Sequence, residues 1–247
     1  MERVSYDDSG FNDLAILHVF RYRFASQFVK GKNVLDVGCG EGFGSRLLSK
    51  SAESVVGCDL SIRAIDLCKA KVSPKQVEFL LCDGTKLPFL NGGFDVVTAL
   101  EVIEHIRNPR ALLSEICYVL RKDGVCVVST PRRVVLGLPL NPYHLREFSY
   151  EEFADVLSSS FESVEIIGQN VLNLRWRIIH KVAPFIPARI RRVMRRIYSL
   201  SNPVSVSQQT VSLDGSQTSD AVFVNGPLSQ KAEYFIAVCR HPKDTSI

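Results

Sequence analysis

Three aspartates end three predicted strands, and their spacing suggests a shared ligand. Asp36 lies beside a glycine-rich turn, Asp59 follows 23 residues later, and Asp83 precedes a glycine. Because the carboxyl ends of parallel strands meet at one edge of a sheet, we expect these carboxylates to border one crevice. Asp59 would accept hydrogen bonds from a ribose, and Asp83 would hold an exocyclic amine or form a turn. Asp36, unless it is only a polar strand end, would repel a diphosphate and favour a cationic ligand.

The turn after the first strand has glycine at every second position. Residues 38–44 read GCGEGFG and open a helix. Without Cβ atoms, such a backbone lets a ligand lie directly on the amides. The dinucleotide pattern G-x-G-x-x-G is not met, because Phe43 and Ser45 stand where its third glycine would be, and no Gly-Lys-Ser/Thr follows. The sequence therefore disfavours a nicotinamide-dependent oxidoreductase and a phosphate-binding loop.

Acid–base groups follow the fourth predicted strand. Glu101, Glu104 and His105 would share one face of a helical turn, and His144 comes from a later loop. Two carboxylates and two imidazoles suit a divalent metal such as Mg2+, which would orient a hydroxyl and lower its pKa. Alternatively His105 or His144 accepts the proton directly, or Glu101 contacts the ligand and His105 is a structural histidine.

The elements that position these residues alternate between strands and helices. Such alternation indicates an α/β, doubly wound and mostly parallel sheet. The residues 12–29 predict an amphipathic helix that closes over the ligand or simply packs on the sheet. The predicted strands are 33–37, 55–58, 77–82, 94–100, 125–130, 161–167 and 233–239, and the further predicted helices are 61–72, 108–120 and 149–157.

This alternation breaks after residue 168. We therefore predict a core of residues 1–168 plus 231–247, with residues 169–230 inserted before the last strand. Between Glu165 and Asp214 the chain has eight basic residues and no acidic one, although its net charge is only +4. Residues 171–200 would form a basic helical element that is a lid, an anionic membrane surface element or, least favoured, a nucleic-acid contact. Residues 201–230 predict a flexible loop.

Composition sets the class and the compartment. The chain has 247 residues, of which 46% are hydrophobic and 23% charged, as in globular proteins. Its seven cysteines include no C-x-x-C pair, so neither a zinc site nor a disulfide framework is indicated. No apolar run is long enough for a membrane span, and no secretory signal precedes the core. We expect a cytoplasmic protein that is peripheral at the membrane if residues 171–200 bind lipid.

Five segments in order resemble the class I S-adenosylmethionine-dependent methyltransferases. The resemblance implies a Rossmann-like, seven-stranded sheet with an antiparallel last strand, and S-adenosylmethionine as cofactor. Asp59 would then bind the ribose, Gly38 and Gly40 would pass the methionine moiety, and Asp83 would meet the adenine. The segments are VLDVGCGEGFGS (34–45), VVGCDLS (55–61), VEFLLCDGTKLPF (77–89), FDVVTALEVIEHI (94–106) and LRKDGVCVVSTP (120–131). The implied cofactor site is Asp36, Gly38, Cys39, Gly40, Gly42, Asp59, Leu60, Asp83, Gly84 and Glu101.

The E-x-x-E-H segment is similar to two subfamilies. These are the ubiquinone-pathway O-methyltransferases and the enzymes that methylate the terminal 2′-hydroxyl of small RNAs. We expect O-methylation of a small or lipid-linked acceptor, such as a quinone precursor or a sugar, with RNA methylation or cofactor binding without transfer as alternatives. The expected catalytic residues are Glu104, His105 and His144, and the expected metal ligands are these three with Glu101. Residues 143–148 would shape the acceptor pocket.

Overall fold

The sheet is described by a computed structural model that covers residues 13–71, 77–133, 141–171, 221–224 and 232–243. Within these residues the sheet has eight strands. They are β1 (Asn33–Val37), β2 (Ser54–Asp59), β3 (Val77–Leu81), β4 (Phe94–Leu100), β5 (Leu120–Pro131), β6 (Phe161–Val171), β7 (Ala221–Val224) and β8 (Tyr234–Pro242). The helices are α1 (Asp13–Ala25), α2 (Phe43–Leu48), α3 (Ile62–Lys71), α4 (Pro109–Val119) and α5 (Tyr150–Ser158), with 3-10 turns at Ser26–Phe28 and Ile103–His105.

The strand order is β3-β2-β1-β4-β5-β8-β6-β7. The five strands from β3 to β5 run parallel, and β8 lies antiparallel between β5 and β6. This arrangement confirms the predicted doubly wound sheet with an antiparallel last strand. Because the chain leaves β1 toward β2 on one side and reaches β4 on the other, a crevice opens beyond the carboxyl end of β1.

Apolar side chains cover both faces of the sheet. Leu17, Phe20 and Phe24 of α1 pack with one face, and α4 and α5 pack on the other. The sequence predicted an amphipathic α1, but Val19, Tyr22 and Ala25 are buried as well, so α1 is covered on both sides. Helix α5 begins with a capping box, since the Glu152 N–H donates to Ser149 Oγ and the Ser149 N–H to Glu152 Oε2.

Two differences concern the segment predicted as an insertion. Strand β6 continues to Val171, three residues beyond the predicted end of the core, because residues 168–171 pair with β7. Strand β7 itself lies in the stretch 201–230 that was predicted to be a loop. The predicted basic helical element, residues 171–200, lies outside the described residues except for Val171, which ends β6. Within the part of the chain that is described, no helix is long and apolar enough to cross a membrane.

Candidate functional site

A cleft of about 910 Å3 lies at the carboxyl edge of the sheet. The turns after β1, β2 and β3, the segment after β4, the loop 141–147 and α1 all contribute to its walls. Of the predicted site residues, all except Asp36 and Gly42 line it. Those that do are Gly38, Cys39, Gly40, Asp59, Leu60, Asp83, Gly84, Glu101, Glu104, His105 and His144.

Asp36 lies beneath the cleft and corrects the expectation of direct ligand contact. Its side chain is fully buried and accepts hydrogen bonds from Ser45 Oγ at 2.6 Å, Thr98 Oγ1 at 2.7 Å and the Tyr22 hydroxyl at 3.2 Å. Burial raises the pKa of Asp36 to about 6, although these hydrogen bonds lower it. The carboxylate therefore ties β1 to α2, β4 and α1 and supports the glycine turn from below.

The glycine turn approaches the segment after β4 closely. Gly38 has φ 71°, and a Cβ built there would lie 2.4 Å from Val102 Cγ2. A Cβ at this position would overlap the Val102 side chain, and the positive φ independently favours glycine. Gly42 is also left-handed, but it faces Cys68 and Phe79 in the interior and not the cleft, which corrects its predicted role as a binding residue.

Asp59 is held in a fixed orientation at the end of β2. Its Oδ2 atom accepts from the Gly40 N–H at 3.0 Å, and its Oδ1 atom accepts from the Ser61 N–H at 2.9 Å. The residue is only 8% exposed, yet it lines the cleft beside the exposed Leu60. Two backbone donors thus leave the remaining lone pairs of both oxygens directed at whatever occupies the cleft.

Asp83 has the predicted turn role, and it also lies at the cleft. Its Oδ1 atom accepts from the backbone N–H and from the hydroxyl of Thr85, both at 2.8 Å, as in an Asx turn. These bonds, the backbone one first, hold the pKa of Asp83 below its usual range. With Gly84 it also lines the cleft at the end of β3.

The segment after β4 does not form the predicted helical turn. Glu101 has φ 58°, and only Ile103–His105 form a short 3-10 helix. The positive φ turns Glu101 away from the others, which corrects the expected four-residue cluster. Ligand atoms of Glu104, His105 and His144 lie within 4.8 Å of one another, and Glu101 is not part of this group.

Glu104 is a buried acid at the wall of the cleft. Among the described residues neither of its carboxylate oxygens has a well-formed hydrogen bond. Burial, and after it the charge of Glu101, raises the pKa of Glu104 well above its usual range. Its backbone carbonyl accepts from the N–H groups of Leu145 and Arg146, which fixes the loop over it. An unsatisfied buried carboxyl is costly, so its retention beside two imidazoles points to a ligand.

The hydrogen bonds around both histidines define their tautomers. His105 Nδ1 lies 3.0 Å from the carbonyl oxygen of Tyr143, so Nδ1 donates and Nε2 carries the lone pair. Asn141 accepts from the Tyr143 N–H through Oδ1, which places its amide nitrogen 3.1 Å from His144 Nε2. His144 Nε2 therefore accepts from Asn141, and Nδ1 donates to Glu147 at 3.3 Å. His105 is the better placed of the two to take up a proton.

Helix α1 both packs on the sheet and forms part of the cleft. His18 and Tyr22, one turn apart, line it, and burial followed by the charge of Arg21 lowers the pKa of His18. The Tyr22 ring is accommodated because position 44 is glycine, where a Cβ would lie 1.9 Å from the ring. The packing role of this helix is thus confirmed, and its closure over a ligand stays a prediction.

Several residues that support the site had no role predicted from the sequence. Asn141 and Glu147 hold His144, and their spacing of three residues on either side of it was the available signal. Ser129, which bonds to Glu101, and Gln169, which bonds to α1, gave no such signal because their partners lie far away in the sequence.

Comparison with known proteins shows that part of this chain is similar to methyltransferases. Residues 35–128 match a family described as a methyltransferase domain. A Mycolicibacterium smegmatis protein named "Probable S-adenosylmethionine-dependent methyltransferase" is 33% identical to this chain over 156 residues. These residues are 61% of this chain and 60% of the relative. A mitochondrial ubiquinone biosynthesis O-methyltransferase of Schizosaccharomyces pombe is 32% identical over 143 residues, 53% of this chain and 51% of the relative. The match thus spans about half to three fifths of these curated relatives.

A solved structure has the same fold. The crystal structure of the YcgJ protein from Bacillus subtilis superposes with a TM-score of 0.59 over 91% of this chain and 99% of that chain, at 18% identity. Since the identity is low, this similarity concerns the fold alone.

Proposed function

We propose that this chain, which carries a class I S-adenosylmethionine-dependent methyltransferase core, transfers the methyl group to an oxygen atom of a small or lipid-linked acceptor. The grouping of Glu104, His105 and His144 at the wall of the cleft carries the proposal. The ubiquinone O-methyltransferases among the relatives support an oxygen acceptor. A quinone precursor or a sugar has a hydroxyl of the required kind.

The cofactor follows the carboxyl edge of the sheet in this proposal. Asp59 accepts hydrogen bonds from the ribose hydroxyls, for which its two backbone donors have oriented it. Asp83 and Gly84 border the adenine, and the exposed Leu60 covers one face of that ring. The methionine moiety passes Gly38 and ends near Glu101, whose carboxylate suits its ammonium group.

His105 is the proposed proton acceptor. Methyl transfer from a sulfonium is an in-line displacement in which the acceptor oxygen forms the new bond and sulfur keeps the bonding electrons. The acceptor hydroxyl must also lose its proton, and His105 Nε2 carries a lone pair on the cleft-lining side chain. Alignment of oxygen and methyl carbon in a closed cleft supplies the rest of the rate enhancement.

A divalent cation at the same residues is the alternative to proton transfer by His105, because an ion held by His105 would occupy the lone pair of Nε2. Two imidazoles and one carboxylate form a common donor set for divalent metals, and the unsatisfied Glu104 carboxylate fits it. Glu104, His105 and His144 would hold the ion after His144 exchanges its bond to Asn141. When bound, the cation would act as a Lewis acid on the acceptor hydroxyl. The observation that favours this cation is the buried Glu104 carboxyl, which has no well-formed hydrogen bond among the described residues.

Turnover of the cofactor tests the proposed transfer. Purified protein is incubated with S-adenosylmethionine and a panel of phenols, sugars, amines and RNA, and S-adenosylhomocysteine is measured. Transfer to a hydroxyl is expected, with at least a hundredfold loss in His105→Asn, a typical general-base contribution. His241→Asn is the matched control, since His241 is exposed on β8. Product only with amines, or cofactor binding without any product, would refute O-methylation.

Binding of Mn2+ by calorimetry tests the metal site separately. Wild-type protein is expected to bind the ion and Glu104→Gln to lose it. Glu151→Gln, at an exposed position of α5, is the control and should bind as wild type does. Equal affinity in all three proteins would exclude Glu104 as a ligand.

A further inference from the structure

Arg21 is a fully buried cation on α1. Its Nη1 atom donates to Gln169 Oε1 at 2.7 Å, and its guanidinium carbon lies 4.5 Å from the ring centre of Tyr234. Its Nη2 atom lies 3.7 Å from Glu101 Oε2. An arginine is rarely buried without a carboxylate partner, and within the described residues Glu101 is the carboxylate that forms an ion pair with it.

The guanidinium of Arg21 is held by side chains from β6 and β8, and not by the segment after β4 that contains Glu101. Gln169 is itself fully buried and donates through Nε2 to the carbonyl oxygen of Leu17, so it grips α1 at two points. Tyr234 lies on β8 and stacks on the cation. Arg21 is therefore fixed by β6 and β8, and its Nη2 atom is the one that lies near Glu101.

Glu101 is constrained from the opposite side as well. Ser129 Oγ donates to Glu101 Oε1 at 3.1 Å, and the Glu101 N–H contacts both the carbonyl oxygen and Oγ of Ser129. Its φ of 58° is a strained conformation for a residue with a side chain. The next residue, Val102, is the one that leaves no room for a side chain at Gly38. Glu101 thus lies at the methionine end of the proposed cofactor site.

We propose that Arg21 is a positioning residue that, with Ser129, fixes the Glu101 carboxylate for the ammonium group of the cofactor. This inference rests on the proposed cofactor placement. Each carboxylate oxygen has one fixed neighbour, Ser129 at Oε1 and Arg21 at Oε2. Helix α1 is then required for cofactor affinity through a residue that does not itself line the cleft.

Calorimetry with S-adenosylhomocysteine tests the proposal without knowledge of the acceptor. Arg21→Lys keeps the charge but shortens the reach to Glu101, so the ion pair that orients the carboxylate is weakened and we expect affinity to fall about tenfold. Arg21→Met should cost more. Glu101→Gln should lower affinity by a similar factor, and adding Arg21→Met to it should change little further, because the two act through one group.

Controls separate positioning from folding. Phe20→Leu loosens the packing of α1 without touching the ion pair, so the melting temperature should fall and the affinity should stay unchanged. Ser129→Ala keeps Arg21 paired, removes the other neighbour of Glu101 and should weaken binding, which covers the case in which Arg21→Met does not fold. Full additivity of Arg21→Met and Glu101→Gln, or unchanged affinity in Arg21→Lys and Ser129→Ala, would overturn the inference. Absence of binding in the wild type would instead refute the cofactor site.

Discussion

Ser45 Oγ donates a hydrogen bond of 2.6 Å to the fully buried carboxylate of Asp36. This contact joins α2 to β1 directly below the glycine turn. A carboxylate in that position has to be satisfied by neutral hydroxyls, which stabilise its charge less than water does.

Stability should therefore depend on pH through Asp36. Its pKa is raised to about 6, so the folded state binds the proton more tightly than the unfolded chain does. The contribution of protonated Asp36 to the free energy of unfolding is therefore complete below pH 4 and is lost as the pH rises through 6. The loss is about 3 kcal/mol, because the pKa of Asp36 is about two units higher in the folded state. Urea unfolding of the wild type and Asp36→Asn between pH 4 and 7.5 measures it. The difference between the two proteins should change over that window, and parallel profiles would contradict the assignment.

Loss of the Asp59 carboxylate should weaken cofactor binding. In Asp59→Asn one oxygen becomes a donor that faces the Gly40 or Ser61 N–H, so the orientation of the side chain and the hydrogen bonds to the ribose are disturbed. We expect a loss of about 10- to 100-fold in affinity for S-adenosylhomocysteine, the value of one or two charged hydrogen bonds. Calorimetry checks this, with Asp66→Asn on the exposed side of α3 as the control. If both variants bind equally well, the ribose is held elsewhere.

The close approach of Gly38 to Val102 should be visible in stability. Gly38→Ala adds a strained φ, about 1–2 kcal/mol, and an overlap worth about 1–3 kcal/mol. Gly92→Ala is matched for φ but has open space around its Cβ, so it should lose only the first part. Val102→Ala should restore the second part in the double variant. Equal costs for the two glycines in urea unfolding would show that the overlap relaxes freely.

The basic stretch at residues 171–200 was predicted to be either a lid or an element that binds anionic membranes, and vesicle flotation separates the two. Each arginine near an anionic surface contributes about 1 kcal/mol. If the stretch binds membranes, the protein floats with vesicles that contain phosphatidylserine and not with neutral ones. Binding should fall when the four arginines at 191, 192, 195 and 196 become glutamine, and it should persist in a control with glutamine at Lys30, Arg46, Arg63 and Lys69. If flotation does not depend on lipid charge, or if the protein does not float, residues 171–200 are better explained as a lid.

The alternation of strands and helices in a mostly parallel sheet and the cleft-lining carboxylate of Asp59 followed from the sequence, because both depend on local pattern and on the geometry of parallel sheets. The antiparallel last strand was expected only from the family resemblance. The buried position of Asp36 did not, since its three hydroxyl partners come from elements distant in sequence. The spacing of Glu101 and Glu104 suggested one helical face, but the backbone turns at Glu101 and separates them. Gln169 forms hydrogen bonds with Leu17 and Arg21 of α1, which precede it by about 150 residues, and no local pattern predicts such a contact.

Strand β8 occupies an interior place between β5 and β6, although it comes later in the sequence than both. During synthesis the edge of β5 must therefore stay unpaired until β8 arrives. Tyr234, which fixes Arg21, arrives with it. A ribosome-bound nascent chain would consequently lack the contact between Tyr234 and Arg21 until β8 emerges.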